Sequence, residues 1–396
     1  METERPSGIT GSKGIAPPAG ETSASPGDFT AARPVRVCIV APSLDILGGQ
    51  AIQAQRLISA FAGSDRVSAG FLAVNPRLPQ PLRALQRIKY VRTLVTGVAY
   101  VASLLVRVRD YDVLHVFSAS YWSFLVAPLP ALLVARLFRR PTVLNYRSGE
   151  APDHLANWRT ARWGVRQATR VIVPSGYLVG VFAEYGVPAE SIPNFVDVSR
   201  IGFRERSPLR PAFLSNRNFD ALYNVSCTLR AFAAIQAAVP GATLTVAGDG
   251  PQRDELKALA ATLGLRAVKF VGQVPPEQMP ALYDVADIYL NSPDIDNMPT
   301  SIIEAFAAGL AVVTTNAGGI PYIVRHGDNG RMVARGDADA MAAEAQSLLC
   351  DPDGTLAMAR RARAECEARY VWPAVRKQWE ELYRDVAAVP ARATNA

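Results

Sequence analysis

The chain has 396 residues, 49% apolar and 19% charged, with 29 prolines, 28 glycines and a formal charge of +7. That length suits two domains, each large enough for its own core, and the composition excludes collagen, coiled coil and wholesale disorder. Cys38, Cys227, Cys350 and Cys366 lie far apart with no CxxC pair, so neither a zinc site nor a disulfide framework is expected and a reducing, cytoplasmic setting is the simpler reading.

Residues 1–34 read as a disordered leader. Met1 to Asp28 is rich in Pro, Gly, Ser, Thr and Glu and lacks the basic-then-apolar order of a signal peptide. Arg36 to Ala41 is a short β-branched run, as in a strand buried in a parallel sheet. Leu47-Gly48-Gly49-Gln50 follows as a turn, and Ala51 to Ala62 carries apolar residues at helical spacing. Val113 to Phe117, Pro141 to Asn145 and Val171 to Pro174 are further strands with helical stretches between them. Such alternation predicts a doubly wound α/β domain over 35–205.

The pattern restarts after Ser207-Pro208-Leu209-Arg210-Pro211. Strands are expected at Ala212 to Ser215, Thr243 to Ala247, Val268 to Val271, Ile288 to Asn291 and Ala311 to Thr314, and helices at Thr228 to Ala238 and Arg253 to Leu263. This second Rossmann-like domain takes 206–370. A last helix, Trp372 to Val386, falls beyond its natural end, so 371–396 is expected to cross back onto the first domain.

The positive charge is concentrated. Between Arg77 and Arg170 fifteen basic residues face four acidic ones, leaving the rest of the chain net negative. Nucleic acid, anionic lipid or a diphosphate substrate could meet such a surface. The absence of zinc-finger spacing, RNP-like aromatics and a basic zipper argues against nucleic acid. Thr93 to Val106 is uncharged for fourteen residues, short of the roughly 20 that span a bilayer. With Arg83, Arg87, Lys89 and Arg92 before it and Arg107 and Arg109 after it, it suits a helix lying in an anionic interface, or equally a core helix with solvated basic ends. Val113 to Ala135 is also uncharged but contains Pro128 and Pro130, and reads as a strand plus a buried helix.

The richest segment runs from Asp296 to Phe306, a loop entering a helix near Thr300 with Pro299 at its start. Free amides at that N-terminus, beside Asn297, Thr300 and Ser301, attract a phosphate. Asp296 precedes the helix and Glu304 sits one turn inside it, so both can face one ligand. Two carboxylates beside an anion site fit if they bind hydroxyls, which points to a sugar on a phosphate. Glu304 taken alone reads equally well as a solvated helix residue.

Asp296 to Glu304, followed by AFAAGLAVVTTNAGGIPYIV, resembles the Glu-x7-Glu region of the retaining family 4 glycosyltransferases of GT-B fold. Gly48-Gly49, Ile192-Pro193-Asn194-Phe195-Val196-Asp197, Val246 to Pro251, Val271-Gly272-Gln273-Val274 through Asp287, and Gly327-x2-Gly330 agree in order. The resemblance implies two Rossmann-like domains facing a cleft. It further implies transfer of a sugar from a UDP- or GDP-linked donor to a hydroxyl with anomeric configuration retained, and without a metal. The acceptor would be a sugar or a lipid-linked sugar, as in glycolipid or cell-surface polysaccharide synthesis, with peripheral contact to an anionic membrane. A catalytically weakened binding or scaffold protein, and a soluble transferase acting on a small molecule, are the alternatives.

By the same resemblance Glu304 takes the nucleotide ribose and Asp296, one methylene shorter than the usual Glu, takes the donor sugar's hydroxyls. Gly48 and Gly49 bring backbone amides to the donor phosphates. Arg217 stabilises the departing diphosphate, whereas the companion lysine five residues on is replaced by Leu222, followed by Tyr223-Asn224. The family's histidine near a strand end has Asn145 in its place, which leaves His154 as the nearest catalytic candidate. Arg147 and Glu150 are candidate substrate contacts. His326 reads as structural and His115 as a satisfied core residue. Asp294-Ile295-Asp296 has the spacing of a metal-binding pair, but Asp296 already has a role.

Overall fold

The computed structural model describes residues 33–44, 49–77 and 89–389. Residues 1–32 of the leader, Leu47, Gly48, Arg83, Arg87 and residues 390–396 of the tail lie outside the described residues. Among these residues the strands form two six-stranded parallel sheets.

The first lobe runs β1 (Val35–Ala41), α1 (Gly49–Ala60), β2 (Val67–Ala73), α2 (Lys89–Arg107), β3 (Val113–Ser118), α3 (Tyr121–Val126), α4 (Pro128–Leu137), β4 (Thr142–Tyr146), α5 (Ala151–Asn157), α6 (Arg159–Val165), β5 (Arg170–Val173), α7 (Gly176–Glu184) and β6 (Glu190–Ser191). Its strand order is β2-β1-β3-β4-β5-β6. The second lobe runs β7 (Ala212–Asn216), α8 (Val225–Ala238), β8 (Thr243–Ala247), α9 (Arg253–Thr262), β9 (Val268–Gly272), α10 (Met279–Val285), β10 (Ile288–Asn291), α11 (Thr300–Ala308), β11 (Ala311–Thr315) and β12 (Arg331–Val333). Its order is β12-β11-β10-β7-β8-β9. Three helices close the chain: α12 (Ala338–Cys350), α13 (Pro352–Arg369) and α14 (Trp372–Ala388).

Every residue of β3, β4, β10 and β11 is buried. Helices cover both faces of their sheets, so these strands read as near-continuous apolar runs, with polar residues mostly at their ends, instead of alternating ones. Helix α14 does cross back. Val375, Trp379, Leu382, Tyr383 and Val386 pack with Val37, Ile39 and Val113 of the first sheet, each full burial contributing roughly 1.5–3 kcal/mol. Tyr383 Oη lies 2.6 Å from His115 Nδ1, and Asn145 Nδ2 lies 3.0 Å from His115 Nε2. An amide nitrogen can only donate, so Nε2 accepts and Nδ1–H donates to Tyr383. Burial pushes His115 down to about 3, so it is a neutral core residue, as expected.

Two expectations for the first lobe change. Helix α2 is longer than the fourteen-residue run: with its 3-10 extension, Val91–Asp110 is long and apolar enough to cross a membrane by length and composition. One edge is docked, since Tyr100, Leu104 and Val108 belong to the core and Tyr100 donates to the Ala127 carbonyl at 2.9 Å. The other edge exposes Leu94 (70%), Val98 (63%) and Val106 (73%). The stretch after β3 is two helices, α3 and α4, split at Ala127-Pro128. They bury Phe124, Ala131 and Leu132 but expose Trp122, Val126 and Leu137.

Candidate active-site cleft

A cleft of about 710 Å³ is lined by residues of both lobes. Its second-lobe floor is the segment that enters α11. The Ile302 amide donates to the Pro299 carbonyl at 3.2 Å, whereas the Thr300 and Ser301 amides have no acceptor inside the helix, and these two residues line the cleft. Gly309 closes α11 with φ +84°, a left-handed conformation that glycine adopts without penalty. Gly318 is also left-handed, and a Cβ there would come 2.0 Å from the Asp296 carbonyl; one on Gly319 would come 2.1 Å from the Asn297 carbonyl. The glycine pair of Asn316-Ala317-Gly318-Gly319 is thus what lets the Asp296-Asn297 backbone sit where it does.

Asp296 and Glu304 line the cleft as the sequence suggests, and each carries a guanidinium. Arg217 Nη2 donates to Asp296 Oδ2 at 2.5 Å and Nη1 to Ser301 Oγ at 3.2 Å, while Cζ lies 4.0 Å over the Tyr223 ring. Burial raises the Asp296 carboxyl above its ordinary value and Arg217 pulls it back. Glu304 accepts from Arg56 Nη2 at 2.6 Å and from Tyr283 Oη at 2.8 Å, and Tyr283 in turn accepts from Asn216 Nδ2 at 2.7 Å. Burial, with Glu304 close by, holds the Tyr283 phenol protonated and donating. Arg56 and Gln53, which donates to Thr300 Oγ1 at 3.2 Å, come from α1. Their three-residue spacing puts them on one side of that helix, a weak signal that nothing in the sequence tied to Glu304.

Asn297 does not join this wall. Its Oδ1 accepts from Ser175 Oγ across the lobes and it is buried away from the cleft lining. It holds the loop against the first lobe while Asn194 Nδ2 donates to the Met298 carbonyl at 2.8 Å. Leu222, at the position of the family lysine, lines the cleft.

On the first-lobe side Gly49 opens α1, lines the cleft, and has open space where a Cβ would be. Tyr121, Trp122, Arg147 and Glu150 line it too. His154 does not. It sits on the short helix α5, which turns its ring inward to full burial among Tyr121, Phe124, Tyr146 and Trp158. Its Nδ1 lies 2.6 Å from Tyr146 Oη, and burial pushes it down to about 4. His154 therefore stands behind the wall, packed against the cleft-lining Tyr121. His326 bonds the Met332 backbone through Nδ1, the structural part expected of it.

Among the described residues no group of three or more His, Cys, Asp or Glu is placed to hold a metal. The carboxylates of Asp294-Ile295-Asp296 have separate partners: Asp294 accepts from Asn224 Nδ2 at 3.0 and 3.2 Å, and Asp296 from Arg217.

Two parallel sheets meeting at such a cleft are GT-B architecture, and solved structures agree. The Anabaena protein HepE, crystallised with UDP and glucose, has a similar fold at a TM-score of 0.70, covering 89% of this chain and 100% of its own at 19% identity. Residues 204–365 match the family Glycosyl transferases group 1, and residues 30–200 match Glycosyltransferase Family 4. Glycogen synthase of Mycobacterium tuberculosis is 30% identical over 271 residues, 64% of this chain and 65% of its own length, just under two thirds. The GDP-mannose-dependent alpha-(1-6)-phosphatidylinositol monomannoside mannosyltransferase of the same organism is 30% identical over 294 residues, 66% of this chain and 75% of its own. The chain belongs to the group 1, family 4 glycosyltransferases.

Proposed function

We propose that the protein transfers a sugar from a UDP- or GDP-linked donor to a hydroxyl of a sugar or lipid-linked acceptor, retaining the anomeric configuration, in glycolipid or cell-surface polysaccharide synthesis. The observation that carries this reading is the convergence on one cleft of Glu304, Asp296, Arg217 and the amide-bearing starts of α1 and α11. In this scheme Glu304 accepts from the ribose hydroxyls and Asp296 from the sugar's, each exchanging its guanidinium for a ligand. Arg217, freed from Asp296, and the helix-start amides then face the diphosphate as it departs with growing charge. No metal is assigned, because of the two carboxylates with suitable spacing Asp296 is given to the sugar hydroxyls and Asp294 is held by Asn224. The names of the mannosyltransferase and of the UDP-bound fold relative support a nucleotide-linked donor. Product formation across a panel of UDP- and GDP-sugars tests the reading, and absence of both transfer and nucleotide binding would sink it. Tight nucleotide-sugar binding without transfer would favour the scaffold reading, which Leu222 motivates.

The acceptor side is proposed to work at the cytoplasmic face of an anionic membrane. Exposed Leu94, Val98, Val106, Trp122 and Leu137 lie on α2, α3 and α4 with Arg92 and Arg136, and Arg109 and Arg139 follow two residues after the ends of α2 and α4; none of these four cations has an acidic partner among the described residues. Trp122 belongs both to this surface and to the cleft lining, which gives a lipid-linked acceptor a short route in. Sedimentation with phosphatidylglycerol vesicles, and none with phosphatidylcholine vesicles, is the expected result. Indifference to both would favour a soluble acceptor.

A further inference from the structure

Among the described residues three guanidinium groups line the cleft, and two of them, Arg56 and Arg217, are matched by Glu304 and Asp296. The third is not. Arg147 follows β4, and its Nη1 donates to Asn145 Oδ1 at 3.3 Å while Cζ lies 5.5 Å from the Phe117 ring centre. Its Nη2 is shielded from solvent without a hydrogen-bond partner. No carboxylate among the described residues forms an ion pair with it, and burial alone pushes the guanidinium down to about 9. Cleft-lining Glu150 is engaged with Ser148 Oγ at 3.4 Å.

A buried charge and an unmet donor both cost stability, and the usual remedy is a counter-ion supplied by the protein. Here none is supplied on a surface where a ligand is expected, so the missing anion belongs to the ligand. Its place follows from the backbone. Two residues on, a Cβ on Gly149 would lie 3.2 Å from the Asp296 carbonyl carbon, so the Arg147 loop abuts the residue that pairs with Arg217. The second lobe, with Leu222 in place of a lysine, brings only Arg217 to that end of the cleft.

We propose that Arg147 is the second cation for the donor's diphosphate, so that the leaving group is held by one guanidinium from each lobe. The proposal rests on the glycosyl-transfer reading and deepens it. A guanidinium fork suits phosphate oxygens bidentately. One edge of this fork is fixed by Asn145 and the other is uncommitted, so little side-chain freedom is lost on binding. Because the two cations come from opposite lobes, diphosphate binding also ties the lobes together, where a lysine at 222 would have served one lobe alone.

Calorimetric titration of the full chain and of Arg147→Gln and Arg147→Lys with UDP, GDP, uridine and guanosine tests it, alongside thermal melting. Whichever diphosphate binds the parent is expected to bind Arg147→Gln roughly 10- to 100-fold more weakly, the size of one charge-assisted hydrogen-bond pair. Arg147→Lys should fall between, and the matching nucleoside should bind all three proteins alike. The melting temperature of Arg147→Gln should equal or exceed the parent's, since an unmatched, partly buried charge has gone. Unchanged diphosphate affinity in Arg147→Gln overturns the proposal alone. Equal loss of nucleoside and diphosphate also overturns it, by showing a collapsed site. So does a loss confined to UDP-glucuronic acid with UDP untouched, which moves the anion onto the sugar. A parent that binds neither UDP nor GDP overturns the functional reading and this proposal with it.

Discussion

In the second lobe Asp287 gathers Arg204, Arg206 and Arg210, with Nη2 of Arg204 and Arg210 at 2.6 and 2.7 Å, and Glu365 gathers Arg325 and Arg369. In the first lobe Arg92, Arg109, Arg136, Arg139, Arg159 and Arg166 form no ion pair among the described residues. Both lobes are doubly wound sheets with comparable cores, so the fold does not require this difference. The second lobe closes its charge clusters within itself, whereas these exposed first-lobe cations have at most neutral partners, such as Gln167 for Arg136 and the Arg162 and Tyr185 carbonyls for Arg166, and their charge is left to be matched from outside. The cleft lies where the two regimes meet: Arg217 and Arg56 are paired within the protein, and Arg147 awaits an anion.

Four experiments would break or sharpen that contrast. The largest effect is expected from Asp287→Asn. Burial pushes this carboxyl up, yet hydrogen bonds from Arg210 and Arg204 outweigh it and hold it below its ordinary value. Losing the anion strands Arg206, which is itself buried, and should cost about 3–5 kcal/mol in urea denaturation. Arg217→Ala should lower kcat by roughly 10²–10³ through loss of leaving-group stabilisation while moving donor KM less. Equal kcat in variant and parent would remove Arg217 from that role.

His115 gives the next effect and the opposite electrostatic case, a titratable group that the first lobe keeps neutral. Its folded pKa of about 3 lies below the ordinary value of 6.5, so the unfolded chain binds the proton first. Its contribution is complete above pH 6.5 and is lost as pH falls toward 3. Moving from pH 7 to 5 should cost on the order of 2 kcal/mol from this residue. A flatter stability profile for His115→Gln, measured by denaturation at both pH values, is the check. The smallest stability effect is expected where the cations are unpaired. Arg136→Glu with Arg139→Glu should change folding stability by no more than about 0.5 kcal/mol, yet weaken binding to phosphatidylglycerol vesicles roughly tenfold or more. Unaltered vesicle binding would detach the basic surplus from any membrane.

Much of the scaffold was legible because parallel strands covered on both faces leave near-continuous apolar runs, and β1, β3, β10 and β11 each begin and end within two residues of such a run. The placement of Asp296 ahead of α11 and Glu304 one turn inside it followed from helix spacing alone. His154 was misplaced because a seven-residue helix of mixed polarity gives no clear period, and the aromatic residues that enclose it come from α3, β4 and the end of α5. Asn297 was misassigned because nothing in its neighbours announces Ser175, 122 positions away. The extent of α2 was underestimated because uncharged residues were counted, whereas the helix runs on through charged Arg92 and Arg107, and long basic side chains fit a helix whose other positions are apolar.

Fold class, the order of strands and helices, and the chemistry offered by the Asp296–Glu304 segment are local properties. They depend on side-chain periodicity, glycine positions and helix starts, all of which are written within a few residues of one another. Which charges are matched is a long-range property. Arg56 meets Glu304 from 248 positions away and Arg217 meets Asp296 from 79, while Arg147 meets no acid among the described residues. Pairing falls off within a few ångströms and burial depends on every element around a group, so folding alone could separate the cations that hold the protein together from the one left for a ligand.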